Sequence, residues 1–139
     1  SMNKWVGALA VLFVPVVAIA SGEQPDSAGA LDEIQQGRQV YEQSCAVCHG
    51  WQGEGATTWQ QPDEKGEMPA PPHDETGHTW RHSDAMLFKM IAKGWRHPFN
   101  ESDRLTMPAF EDDLTDQEIR AVIEYLKTLW TNEQRDYQN

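Results

Sequence analysis

Cys45-Ala46-Val47-Cys48-His49 decides the reading of this chain, and it contains both cysteines of the 139-residue sequence. Two thiols at this spacing can each form a thioether to a vinyl group of one flat porphyrin. The adjacent imidazole can then reach the iron, which is the attachment pattern of a c-type haem. A structural zinc site needs four protein ligands, and no second cysteine pair is present to complete one. The redox alternative, a Cys-x-x-Cys pair cycling between dithiol and disulfide, belongs to strand–helix folds of which the chain shows no sign.

Upstream, Met2 to Lys4 is a short positive start and Trp5 to Ala20 an apolar run broken only by Gly7 and Pro15. Ala18-Ile19-Ala20 supplies small residues at signal-peptidase spacing before polar Ser21-Gly22, the anatomy of a secretory signal. The run is shorter than the ~20 residues of a spanning helix. Residues 1–20 are therefore expected to be a cleaved signal peptide, with an uncleaved anchor as the alternative. Either way the remainder is expected outside the cytoplasm, in the periplasm or held at the inner membrane facing it. Residues 21–30 read as a linker, 31–131 as one domain and 132–139 as a polar tail. Apolar content is modest, so an embedded haem would supply much of the core that so small a domain lacks.

The net charge of −11 is unevenly spread. Glu23 to Glu75 carries eleven acids against Arg38 and Lys65, and Glu111 to the end eight against Arg120, Lys127 and Arg135. Between them Arg81, Lys89, Lys93, Arg96 and Arg104 outnumber Asp84, Glu101 and Asp103. A solvated surface is the plain explanation. The sharper one is a field that orients transient redox partners, acidic where they meet this segment. Nucleic acid and anionic membrane surfaces are disfavoured as partners.

Hydrophobic spacing predicts a helix over Leu31–Ser44 with Leu31, Ile34, Val40 and Tyr41 buried. A second is predicted from a Ser83 cap to Lys93, closed by Gly94, with Met86, Leu87, Met90 and Ile91 on its apolar side. Thr115-Asp116-Gln117-Glu118 is a capping box. It opens a third helix through about Trp130, with Ile119, Val122, Ile123, Leu126 and Trp130 on one stripe. Trp51–Thr79 and Arg96–Phe110 read as loops, and no strand alternation appears. The expectation is all-α, three main helices with loops between them.

The sixth iron ligand separates an electron carrier from an open-site haem protein. Met86 and Met90 lie four apart on a helical stripe and read as core, and Met68 sits in a proline-rich loop with no helix to position it. Met107, in Thr106-Met107-Pro108-Ala109-Phe110, lies in a rigid loop before the last helix, and Pro108 restricts its backbone. Met107 is therefore the expected partner of His49 on the iron, against loop packing as the alternative.

With these pieces in place the chain resembles the class I c-type cytochromes over about residues 31–131. Gly37-Arg38-Gln39-Val40-Tyr41 matches the family's Gly-x-x-x-aromatic and His49-Gly50-Trp51-Gln52-Gly53-Glu54-Gly55 its glycine-rich continuation. Ala70-Pro71-Pro72, Met107-Pro108-Ala109-Phe110 and Val122-Ile123-Glu124-Tyr125-Leu126 match the proline loop, methionine loop and last helix. The resemblance implies a class I cytochrome c fold wrapped round one covalent haem c, and a close crossing of first and last helices at Gly37. Tyr41 and Tyr125 would pack there. It also implies that the carbonyl of Pro71 or Pro72 accepts a hydrogen bond from His49, which orients the ring and raises its basicity. Gly77-His78-Thr79-Trp80-Arg81-His82-Ser83-Asp84 resembles a sub-group found beside copper-handling or terminal-oxidase genes. Gly94-Trp95-Arg96-His97-Pro98-Phe99 departs from the family in being longer and more aromatic.

Trp80, Arg81, Trp95 and Arg96 are candidates for the haem propionates, since arginine offers a planar fork and indole one N–H. Ordinary surface arginines and core tryptophans are the alternative. His78 and His82, four apart, could hold a second metal only if helical, and the Ser83 cap argues that the helix starts after them. With both axial positions filled the iron can only take up and release an electron, and no nucleophile arrangement or phosphate loop suggests an enzyme. The expected function is a periplasmic monohaem electron carrier, alone or as the haem subunit of a larger oxidoreductase. The alternatives are an open-site haem protein with peroxidase or gas-binding activity, and a metal chaperone using His78, His82, Met86 and Met90.

Overall fold

The computed structural model describes Met2 and residues 27–139. Apart from Met2, the expected signal peptide (1–20) lies outside the described residues. Among the described residues the helices are α1 (Ser27–Ser44), α2 (Ala46–His49), α3 (Asp84–Lys93), α4 (Asp116–Lys127) and α5 (Asn132–Gln138), with a 3-10 turn at Thr79–Arg81. Extended backbone is paired only as a bridge between Trp95 and Met107 among these residues. The protein is all-α, as expected.

Local chemistry sets the helix ends. The Ser83 hydroxyl accepts the Met86 N–H at 3.2 Å and so starts α3, which ends at Gly94 with φ of +78°. The Thr115 hydroxyl accepts from the Glu118 N–H at 3.1 Å while the Glu118 carboxylate accepts from the Thr115 N–H at 3.0 Å. This reciprocal cap satisfies two otherwise orphaned donors at the start of α4.

Three boundaries differ from expectation, the first being α4, which ends at Lys127 rather than about Trp130. α1 begins at Ser27 rather than Leu31, because Ala28 and Ala30 favour helix and extend it into the expected linker. The expected polar tail is helix α5, opened by a second reciprocal cap between Thr131 and Gln134. That helix has a structural task. Gln138 Nε2 donates to the His82 carbonyl at 3.1 Å and to Asp84 at 2.7 Å, and the Tyr137 ring meets Trp80 edge-on at 5.2 Å.

The core forms where α1 crosses α4 and α3 packs beside them. Tyr41 and Ile119 are wholly buried, with Val40, Leu87, Ile91, Val122, Ile123, Leu126 and Trp130 around them. Burial of each such aliphatic side chain contributes roughly 1.5–3 kcal/mol. A Cβ on Gly37 would lie 1.9 Å from the Ala121 carbonyl oxygen, so only glycine permits this helix approach. Tyr41 and Tyr125 pack at 5.3 Å beside it. Leu31 and Met86, expected on the buried sides, are 66 % and 48 % exposed. Leu31 lies near the start of α1, ahead of its buried residues Gly37, Val40 and Tyr41, and α3 presents Leu87 and Ile91 inward, which turns Met86 out.

Candidate functional site

The single turn of α2 carries the cysteine–histidine motif between the core and the surface. Cys45 is half-buried and Cys48 exposed, while His49 is 7 % exposed. Burial and the neighbouring Cys48 push the Cys45 thiol up to about 11. Tyr41 donates its hydroxyl to the Gly50 carbonyl at 2.6 Å, anchoring the exit of the motif to the helix crossing.

His49 Nδ1 lies 2.8 Å from the Pro71 carbonyl oxygen. A carbonyl can only accept, so Nδ1 carries the proton and Nε2 keeps its lone pair. Burial lowers the His49 pKa and the Pro71 bond only partly opposes it, which favours the neutral, ligating form of the ring. Of the two prolines, Pro71 makes this contact; the Pro72 carbonyl accepts from the Thr79 hydroxyl at 3.3 Å. The glycine-rich stretch places the proline loop. Ala56 N–H donates to the Ala70 carbonyl at 2.9 Å, and the Gly53 carbonyl accepts from His73 N–H at 2.7 Å. At Gly55, with φ of +66°, a Cβ would lie 2.4 Å from the Pro72 nitrogen. The His73 ring lies against His49, tilted by 30°, with centroids 4.0 Å apart.

Met107 lies on the loop between α3 and α4. Its N–H donates to the Trp95 carbonyl at 3.1 Å and its carbonyl accepts the Trp95 N–H at 2.9 Å. The chain then leaves along α3, with Phe110 and Glu111 N–H groups on the Ile91 and Ala92 carbonyls. The half-buried Met107 side chain packs against the core. Met90 is half-buried and, with Met86 and Trp95, lines a groove of about 180 Å³.

The four propionate candidates stand in different local settings. The Trp80 indole N–H donates to the Gly77 carbonyl at 3.1 Å, and indole has no second donor. The Arg96 guanidinium holds its own loop through the Ser102 and Asn100 carbonyls at 2.5 and 2.6 Å, which leaves further N–H donors of its five. Arg81 lies over the Trp80 ring at 4.9 Å, and the Trp95 side chain is 40 % exposed. His78 and His82 meet edge-on at 5.7 Å across the 3-10 turn, not along an α-helix. The basic segment is partly neutralised from within: Lys93 pairs with Glu111 and Arg104 with Glu67, each at 2.5 Å.

Glu67, Arg104 and Asn100 were not legible as site residues in the sequence. Glu67 and Asn100 are 6 % and 4 % exposed, yet the Glu67–Arg104 and Asn100–Met68 bonds cross long sequence gaps with no periodicity to announce them.

These donors fit an iron porphyrin tethered to the chain. One neutral imidazole nitrogen is free, two thiols stand within a helical turn of it, and a thioether sits on a braced loop. Among the described residues no three His, Cys, Asp or Glu side chains converge as a cage for a bare metal ion would require.

The family model described as Cytochrome c matches residues 34–130. A solved structure of cytochrome cL from the marine methylotrophic bacterium Methylophaga aminisulfidivorans MPT is similar in fold. The TM-score is 0.55 at 18 % identity, covering 86 % of this chain and 77 % of that one. Comparison with curated proteins finds no match. The match spans well over half of the sequence and contains both cysteines, His49 and Met107: the chain belongs to the cytochrome c family, whose members bind covalent haem c and carry electrons.

Proposed function

We propose that this protein is an exported monohaem electron carrier, its haem tethered through Cys45 and Cys48 and its iron bound axially by His49 and Met107. The observation that carries the reading is the 2.8 Å contact from His49 Nδ1 to the Pro71 carbonyl. It fixes the tautomer and leaves Nε2 for the metal directly beside two thiols. Bound haem supplies a one-electron couple. The chain's own residues then set its behaviour: His49 donates a lone pair made more basic by Pro71, and the Met107 thioether favours the reduced state and raises the potential. With His49 and Met107 both holding the haem, no position would be left on the iron for oxygen or peroxide.

Optical spectra of the purified ferric and ferrous protein test this. The expected result is a low-spin c-type spectrum with the weak sulfur-to-iron charge-transfer band in the ferric state. A haem spectrum without that band would favour the open-site alternative, and a colourless protein from cells with a working haem-attachment system would exclude both.

Export rests on residues 1–20 as a secretory signal; no helix among the described residues is long and apolar enough to cross a membrane. Electrons would pass by transient docking to redox proteins. Among the described residues Arg81 and Lys89 are the cations of the basic segment that make no ion pair within the chain, so they are the ones available to an acidic partner. Lys89→Glu is expected to slow electron exchange with such a partner at low salt by about threefold or more, with the difference vanishing at high salt. Equal rates at low salt would remove Lys89 from the docking face.

A further inference from the structure

We propose that Glu67, Arg104 and Asn100 form a latch that holds the Met107 loop in its ligating position and ties it to the segment that orients His49. The proposal rests on the His49/Met107 reading and deepens it.

The loop from Trp95 to Met107 is closed at its neck by the two Trp95–Met107 backbone bonds. Such a neck fixes the ends but not the body of the loop. The body is held from outside, by the segment 63–68. The Glu67 carboxylate accepts from Arg104 Nε at 2.7 Å and Nη2 at 2.5 Å, and from the Ser102 hydroxyl at 2.7 Å. Asn100 works from both ends of its amide. Its Oδ1 accepts the Met68 N–H at 2.7 Å, and its Nδ2 donates to the hydroxyl of Thr106, the residue before Met107, at 3.1 Å. Glu101 N–H adds a bond to the Gly66 carbonyl at 3.0 Å. Arg96 stiffens the loop internally through the Ser102 and Asn100 carbonyls.

Segment 63–68 is itself preformed. Asp63 N–H donates to the Glu67 carbonyl at 2.9 Å, and the Asp63 carboxylate accepts from the Lys65 and Glu67 N–H groups. It then runs through Ala70, bonded to Ala56, into Pro71 on the His49 ring. One short stretch of chain therefore fastens both residues assigned as axial ligands, His49 through Pro71 and Met107 through Glu67 and Asn100.

The chemistry suits a latch rather than general stabilisation. Glu67 lies near the surface but is 6 % exposed, and its charge-assisted bonds are directional. Its pKa is held at about 2 against an ordinary 4.5, chiefly by the bonds from Arg104 and Ser102. The carboxylate is thus fully ionised above pH 4.5, and the latch weakens only as pH falls through about 2. A thioether is a weak ligand, so its hold on iron depends on how seldom the loop opens.

The test is imidazole titration of the ferric holoprotein, read as loss of the sulfur-to-iron band, in Glu67→Gln, Arg104→Leu and the milder Ser102→Ala. A lost charge-assisted bond should make imidazole bind at least about tenfold more tightly in the first two, and a few-fold more in the third. Haem attachment and helical circular dichroism should stay as in the unmodified protein. Arg38→Leu, which breaks an exposed pair with Glu42 on α1, should leave imidazole affinity unchanged. If the band is present and the Glu67, Arg104 and Ser102 variants bind imidazole within about twofold of the unmodified protein, the latch is wrong and the ligand assignment stands. If the unmodified protein lacks the band, and Met107→Leu leaves its spectrum as it was, the ligand assignment falls and the latch with it.

Discussion

Gly37→Leu is expected to yield little or no folded, coloured protein, and Gly37→Ala a protein with a clearly lowered melting temperature. Even the alanine Cβ would lie 1.9 Å from the Ala121 carbonyl oxygen, 2.5 Å from its carbon and 3.0 Å from the Tyr125 Cβ. Two of these three atoms are backbone in the middle of α4, so no rotamer change relieves the clash and the helices must separate. Separation opens the packing of Tyr41, Ile119 and Val122, the most deeply buried side chains of the crossing. Overpacking of this kind costs about 3 kcal/mol for one methyl group and more for leucine, against a total stability of roughly 5–15 kcal/mol. Arg38→Ala is the control. It removes only an exposed i,i+4 pair and should change stability by less than about 0.5 kcal/mol. A Gly37→Ala protein melting with the unmodified one would show that the crossing adapts freely.

Met107→Leu should give a folded, haem-bearing protein that has lost the sulfur-to-iron band and whose midpoint potential has dropped by on the order of 0.1 V or more. Leucine and methionine are close in volume, so the packing cost is under about 1.5 kcal/mol and the Trp95 backbone bridge remains available. What changes is the sulfur. Without it the ferrous state loses its soft ligand, and the iron gains a position open to water, imidazole or peroxide. Potentiometric titration with optical detection measures both effects in one experiment. An unaltered potential and band would exclude Met107 as the axial ligand and turn attention to Met90, half-buried on α3, or Met68.

The helix caps were legible because their partners lie three residues apart: Thr115 with Glu118, and Ser83 with the Met86 N–H. The α4 stripe was legible because its period matches the helix. Leu31 and Met86 misled for the same reason that the pattern usually works. Apolar spacing shows that a face can be buried, but not whether a neighbour arrives to bury it. The local bonds of Trp80 and Arg96 to the Gly77, Ser102 and Asn100 carbonyls were not legible either, since they depend on how each loop folds back on itself.

From sequence alone came the haem-attachment motif, the helical class and the glycine at the crossing. The first two are written in adjacent residues and helical periodicity, and the third came with the family resemblance, glycine being needed there because a Cβ would meet the Ala121 carbonyl. The tertiary structure alone decided that Pro71 rather than Pro72 faces His49, and that Glu67 meets Arg104 and Asn100 meets Met68. Those pairs stand 37 and 32 residues apart in irregular chain. No local preference encodes such contacts, because they exist only once the core between α1, α3 and α4 has brought the loops into reach.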